Sequence, residues 1–113
     1  MQAYSFLEAR FARLAAIQDA LGILQWDAET MMPEGAGEGR SDQLATLKGL
    51  AHDILTTPVT GDLLDEALQE QDTLTEWQQG NLREMRRLYV HAAAVPRDLV
   101  EANSRAVSRA EMV

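Results

Sequence analysis

Apolar positions in the first quarter of the chain fall into one repeating pattern. Leu7, Phe11, Leu14, Ile17, Leu21 and Leu24 recur at steps of four, three, three, four and three. That rhythm lines them up along one face of an α-helix. The spacing predicts a helix from about Ala3 to Gln25 that continues into Thr30 or Met31. Ala9, Ala12, Ala16 and Ala20 favour helix and widen the packing face. Gly22 costs about 1 kcal/mol relative to alanine in a helix interior, so its presence suggests that another backbone passes close by.

The pattern then breaks at Met32-Pro33, because proline disfavours helical geometry at the residue before it. Gly35, Gly37 and Gly39 read as a flexible connector. A second helix is predicted from Arg40 to Thr56, with Leu44, Leu47, Ala51 and Ile54 on one stripe, Leu50 widening it and Thr57-Pro58 ending it. Asp62 is a candidate cap for a short acidic helix through Leu63, Leu64, Ala67 and Leu68. Thr73-Leu-Thr-Glu76 reads as a capping box. Behind it a long helix carries Leu74, Trp77, Met85, Leu88 and Ala92, with Leu82 and Tyr89 on a neighbouring row and an interruption at Gly80 and Asn81. Pro96 suits a first helical residue. Leu99, Asn103, Ala106, Ala110 and Val113 continue at three-four spacing, and Glu101 and Arg105 form an i,i+4 pair. No strand-period alternation and no internal repeat interrupts this series. The fold class is therefore all-α, four or five helices in antiparallel hairpins or a bundle. The last stripe runs to Met112-Val113 without a cap, so residues 1–113 read as one helical domain cut from a longer chain.

Composition narrows the partners. Ten basic against eighteen acidic side chains give a net charge of −8, which argues against nucleic acid and against an anionic membrane surface. No apolar run approaches the roughly 18 residues of a membrane span. Glu8, Arg10 and Arg13 break up any signal-peptide core, and the absence of cysteine removes disulfide and thiolate chemistry. A cytoplasmic location is expected. From Gly49 to Leu82 there is no Lys or Arg, while Asp53, Asp62, Asp65, Glu66, Glu70, Asp72 and Glu76 accumulate. That stretch reads as a solvated acidic face, with Arg83, Arg86 and Arg87 available to pair with it.

Candidate chemistry is sparse. A catalytic zinc site needs about three protein ligands, commonly two histidines one turn apart. His52 and His91 are the only histidines, and neither has a carboxylate or second histidine three or four residues away. No metal ligand and no cofactor site is expected. Asp27, Glu29, Glu34, Glu38 and Asp42 surround the connector, but nothing separates two of them into the unlike environments that acid–base work requires. The Gly35–Gly39 run follows a helix rather than a strand and lacks lysine, unlike a phosphate cradle. Ser41, Ser104 and Ser108 have no histidine at helical spacing. No catalytic residue is assigned. Trp26 and Trp77 are expected to anchor the core, as large aromatics usually do. Trp26 with Asp27 is also placed to hold the connector, and Asp27 or Glu29 pairing with Arg40 would close the hairpin.

Leu24-Gln-Trp-Asp27, Glu29-Thr-Met-Met-Pro33, Gly35, Arg40, Gln43-Leu44, Leu47 and His52 resemble the N-terminal region of the Taq-type thermostable carboxypeptidases, zinc metallocarboxypeptidases with a His-Glu-x-x-His motif. Ala94-Val-Pro96-Arg-Asp-Leu99-Val resembles a later part of that region. The resemblance implies an all-helical enzyme, often a homodimer, that removes C-terminal amino acids from peptides by using zinc or another divalent metal to activate water. The residues that hold the metal belong to later parts of such enzymes, and none carries over here. The 113 residues then read as an inactive helical piece whose partner is the rest of the enzyme. Trp26, Asp27 and Arg40 would help to shape the groove, and apolar surface would be left on the first and last helices. The competing reading is a stand-alone acidic helical interaction module.

Overall fold

The computed structural model describes residues 2–30 and 35–112. Met31, Met32, Pro33, Glu34 and Val113 lie outside the described residues, and with them the methionine–proline break and the end of the last stripe. The chain forms α1 (Gln2–Thr30), α2 (Gly37–Thr56), α3 (Pro58–Gln69), a 3-10 turn (Gln71–Thr73), α4 (Glu76–Ala93) and α5 (Arg97–Met112), and no strand among the described residues. The helices make a long, thin slab of 54 × 25 × 16 Å. Its radius of gyration is 16.7 Å, against about 13 Å for a compact chain of this length.

One end of the slab is a conventional apolar core. Ala3, Tyr4 and Leu7 of α1 pack with Leu64 and Ala67 of α3, Leu74, and Leu82 of α4, with Phe11, Leu63, Met85 and Tyr89 at the rim. Leu7 is completely buried, which contributes about 2 kcal/mol. Asn81, one of the two residues that interrupted the α4 pattern, earns its place by donating from Nδ2 to the Tyr4 hydroxyl at 3.2 Å. Gly61 is a close approach: a Cβ there would lie 2.7 Å from the Tyr89 hydroxyl. Arg10 fastens α1 to the corner between α2 and α3, donating to Thr60 Oγ1 at 3.2 Å and to Thr57 Oγ1 at 3.1 Å. Thr60 in turn donates to the Ile54 carbonyl.

The α2–α5 seam is different. Ser41, Ala45 and Gly49, spaced four apart, are buried on α2, and this row of small residues lets α5 lie close. A Cβ at Gly49 would sit 2.7 Å from Glu101 Oε2 and 2.8 Å from Arg97 Nε. Arg97 donates from Nε to Glu101 at 2.8 Å and also pairs with Asp53, while Arg105 pairs with Asp42. These pairings run the two helices antiparallel. The hydrogen bond that Arg97 donates to Glu101, with the nearby Asp53 charge, raises the Arg97 pKa above its ordinary value.

Several expectations change. The α5 stripe of Leu99, Asn103, Ala106 and Ala110 faces outward, and the polar row through Arg97, Glu101 and Ser104 faces α2 instead. On that face Arg97 reaches Asp53 of α2 and Arg105 reaches Asp42, pairings that the apolar row could not make. Glu101 therefore pairs with Arg97 rather than Arg105. Gly37 and Gly39 lie inside α2, so of the three connector glycines only Gly35 precedes the helix, with φ +90°, a conformation that suits glycine. Asp62 is interior to α3, whose start is set by Pro58 at its first turn. The capping box is Thr75 with Gln78, because Thr73 instead bonds back to the Glu70 carbonyl within the 3-10 turn. Pro96 sits just before α5 rather than in its first position. Among the described residues nothing lies within 4 Å of a Cβ built at Gly22, so no described backbone crosses there. Leu50 is exposed, and Trp77 is 79 % and Trp26 59 % exposed, so neither tryptophan anchors the core. Arg87 pairs with Glu84 of its own helix rather than with the acidic stretch.

Candidate functional site

Asp27 lies in the last turn of α1 and Arg40 in the first turn of α2, so the hairpin brings them together across the connector. Arg40 Nη2 donates to Asp27 Oδ2, and Nη1 donates to Gln43 Oε1 at 2.8 Å. Both members of the ion pair are mostly buried, at 20 % and 30 % exposure. One guanidinium thus ties the end of α1 to the start of α2, which has no side-chain cap of its own at Ala36. Arg40 Nε is buried without a partner. Glu29 takes the alternative role, accepting from Gln25 Nε2 at 3.2 Å. Trp26 is held through its backbone: its carbonyl accepts from the Thr30 hydroxyl at 2.7 Å, while its side chain stays largely open. Of the three residues singled out here, the fold joins Asp27 and Arg40 and leaves the Trp26 indole beside them on the surface.

What this corner can do chemically is limited. A carboxylate neutralised by a guanidinium is a fastening, not an acid or a base. Along the rest of the chain, no group of three or more His, Cys, Asp or Glu side chains is placed to hold a metal ion among the described residues. His52 is engaged on one side, with Nε2 3.0 Å from the Ala92 carbonyl, and its Nδ1 is buried without a partner. His91 is exposed on α4. Among the described residues these side chains do not fit a metal centre.

The Asp53–Arg97–Glu101 network escaped sequence reasoning. Its partners are 44 and 4 residues apart, and only the second spacing is visible in a linear chain. No helix among the described residues is long and apolar enough to cross a membrane.

Comparison with known proteins is specific. The family model for the carboxypeptidase Taq (M32) metallopeptidases matches residues 6–113. Thermostable carboxypeptidase 1 of Thermus thermophilus is 36% identical over 105 residues, covering 89% of this chain and 20% of that protein. Its namesake from Pyrococcus furiosus is 30% identical over 102 residues, covering 90% of this chain and 20% of that protein. Among solved structures, metallocarboxypeptidase 1 of Trypanosoma cruzi superposes with a TM-score of 0.85 at 34% identity, over 90% of this chain and 21% of that one. The BsuCP crystal structure superposes with a TM-score of 0.94 at 19% identity, over 99% of this chain and 22% of that one, a likeness of fold. The chain thus spans about a fifth of the length of these proteins and matches their N-terminal part. By sequence and by fold, this chain belongs to the carboxypeptidase Taq (M32) metallopeptidase family.

Proposed function

We propose that these residues are the N-terminal helical part of a zinc-dependent metallocarboxypeptidase that removes C-terminal amino acids from peptides. Their contribution is architectural: they wall or cover the groove in which the rest of the enzyme holds metal and substrate. The family match over residues 6–113, at a fifth of the relatives' length, carries this reading. The slab shape agrees with it, because a sheet of helices with Leu99, Val107, Ile23 and Phe6 exposed is suited to lie against a larger body. Asp27 and Arg40 set the angle at which α1 meets α2, and Trp26 faces outward beside them, so this corner shapes the groove without touching the chemistry. The enzyme works in the cytoplasm.

A longer polypeptide that contains this chain is expected to release single C-terminal amino acids, to lose that activity with a chelator and to recover it with zinc. The 113-residue chain alone is expected to release none and to bind no zinc. Stoichiometric zinc retained by the dialysed chain, or an amino acid released by it, would overturn the assignment. The exposed apolar residues also favour pairing of two copies at high concentration, and a strict monomer by light scattering would count against that pairing.

A further inference from the structure

The fold leaves two arginines of α4 unused. Arg87 is tied to Glu84 of its own helix, whereas Arg83 and Arg86 enter no ion pair among the described residues. All three are exposed. Arg83, Arg87 and His91 form one row at steps of four, and Arg86 and Val90 form a second beside it. Both rows turn away from Leu82, Met85 and Tyr89, which face the core. Together these five residues line a shallow concavity of about 520 Å³ that has no carboxylate in its wall. Such a face is costly as it stands. Like charges one helical turn apart repel, and eighteen acidic side chains in the chain supply neither Arg83 nor Arg86 with a described partner. Val90 is 59 % exposed among them, and an apolar centre with a polar rim is the build of a protein–protein contact.

The chain spans about a fifth of the length of its relatives, so the largest surface on offer to this face belongs to the rest of a longer polypeptide. We propose that the Arg83–Arg86–Val90 face of α4 docks an acidic surface of that polypeptide, with carboxylates set against Arg83 and Arg86 and an apolar side chain against Val90. The inference rests on the reading of the chain as part of a larger enzyme. It adds an electrostatic contact to the apolar one made through α1 and α5. A guanidinium suits the role because its planar fork meets a carboxylate with two hydrogen bonds. Once such a pair is covered, removing the guanidinium strands a buried carboxylate, which costs far more than the loss of an exposed pair.

The test compares the 113-residue chain with a longer polypeptide that contains it. Phenylglyoxal modifies accessible arginines, and mass spectrometry reads the extent at each one. Arg83 and Arg86 are expected to react about tenfold more slowly in the longer polypeptide, because modification then waits for the contact to open. Arg83→Met combined with Arg86→Met removes both charges and keeps long side chains. It is expected to lower the melting midpoint of the longer polypeptide by about 5 °C. The same pair of changes should not lower the midpoint of the 113-residue chain, where it relieves repulsion. Equal reactivity of the two arginines in both polypeptides would overturn the proposal. So would a longer methionine variant that melts as high as its parent, the result expected of an apolar cover. Neither measurement reads hydrolysis: a longer polypeptide that releases no amino acid sinks the peptidase reading and leaves both readouts standing, so the two failures are distinguishable.

Discussion

The two ends of the slab are held together by different physics. Where α1, α3 and α4 meet, Tyr4, Leu7, Leu64, Leu74 and Leu82 are buried against one another, and the stabilisation scales with apolar area removed from water. Along the α2–α5 seam the buried positions are Ser41, Ala45, Gly49 and Ser104, and charged pairs close the gap. Such pairs contribute little individually when part-exposed, so the seam relies on close approach and geometry more than on area. The first region should resist mutation of its surroundings but suffer from lost volume. The second should tolerate loss of a charge but suffer from added volume.

The largest effect should come from emptying the core. Leu7→Ala is expected to destabilise the chain by about 3 kcal/mol, measured by denaturant unfolding; a loss under 1 kcal/mol would mean that the apolar end is not the anchor. Adding bulk at the seam should come next. Gly49→Leu is expected to cost about 2 kcal/mol through overpacking, with increased proteolysis of α5. Gly49→Ala should be near neutral, because the groups it meets are side-chain atoms of Arg97 and Glu101 that can shift and alanine favours helix by about 1 kcal/mol. If both substitutions were harmless, the seam would not be close-packed. Arg40→Ala should cost about 1 kcal/mol, since Asp27 and Gln43 lose their shared donor, and it should speed amide exchange at the start of α2. Gly22→Ala should stabilise by about 0.5–1 kcal/mol, since nothing stands where the methyl group would go.

The smallest effect belongs to the exposed Glu84–Arg87 pair of α4. The hydrogen bonds from Arg87 hold the Glu84 carboxyl below its usual range, and Glu84 raises the Arg87 pKa in return. A carboxyl whose folded pKa is depressed stabilises the fold above its unfolded pKa and loses that contribution as pH falls through the folded one. Acid should therefore remove this pair's support and alkali should not. The NMR titration midpoint of Glu84 should rise in Arg87→Ala, while global stability near neutrality stays unchanged, as is usual for solvent-exposed pairs.

The same contrast explains how much could be read from the chain. The stripe Leu7–Leu14–Leu24 and the breaks at Thr57-Pro58 and before Pro96 are local signals, so α1, α2 and an all-helical series were legible, whereas the caps were misplaced, at Asp62 instead of Thr57 and at Thr73 instead of Thr75. The Asp27–Arg40 link was legible because a hairpin makes neighbours of residues 13 apart. The orientation of α5 was not. Its apolar stripe says which face is greasy but not what is available to cover it, and the neighbour it meets is a row of small residues. The tryptophans misled for the same reason: Trp26 and Trp77 lie on helix faces that no described element covers.

The clasp between Arg10 and the Thr57–Thr60 corner carries a consequence for how the chain comes into being. Arg10 waits for partners 47 and 50 residues downstream, and Tyr4 for one 77 residues downstream. The end of α1 can thus be tied to α2 through Asp27 and Arg40 soon after it forms, whereas its beginning is pinned only once α3 and α4 have followed.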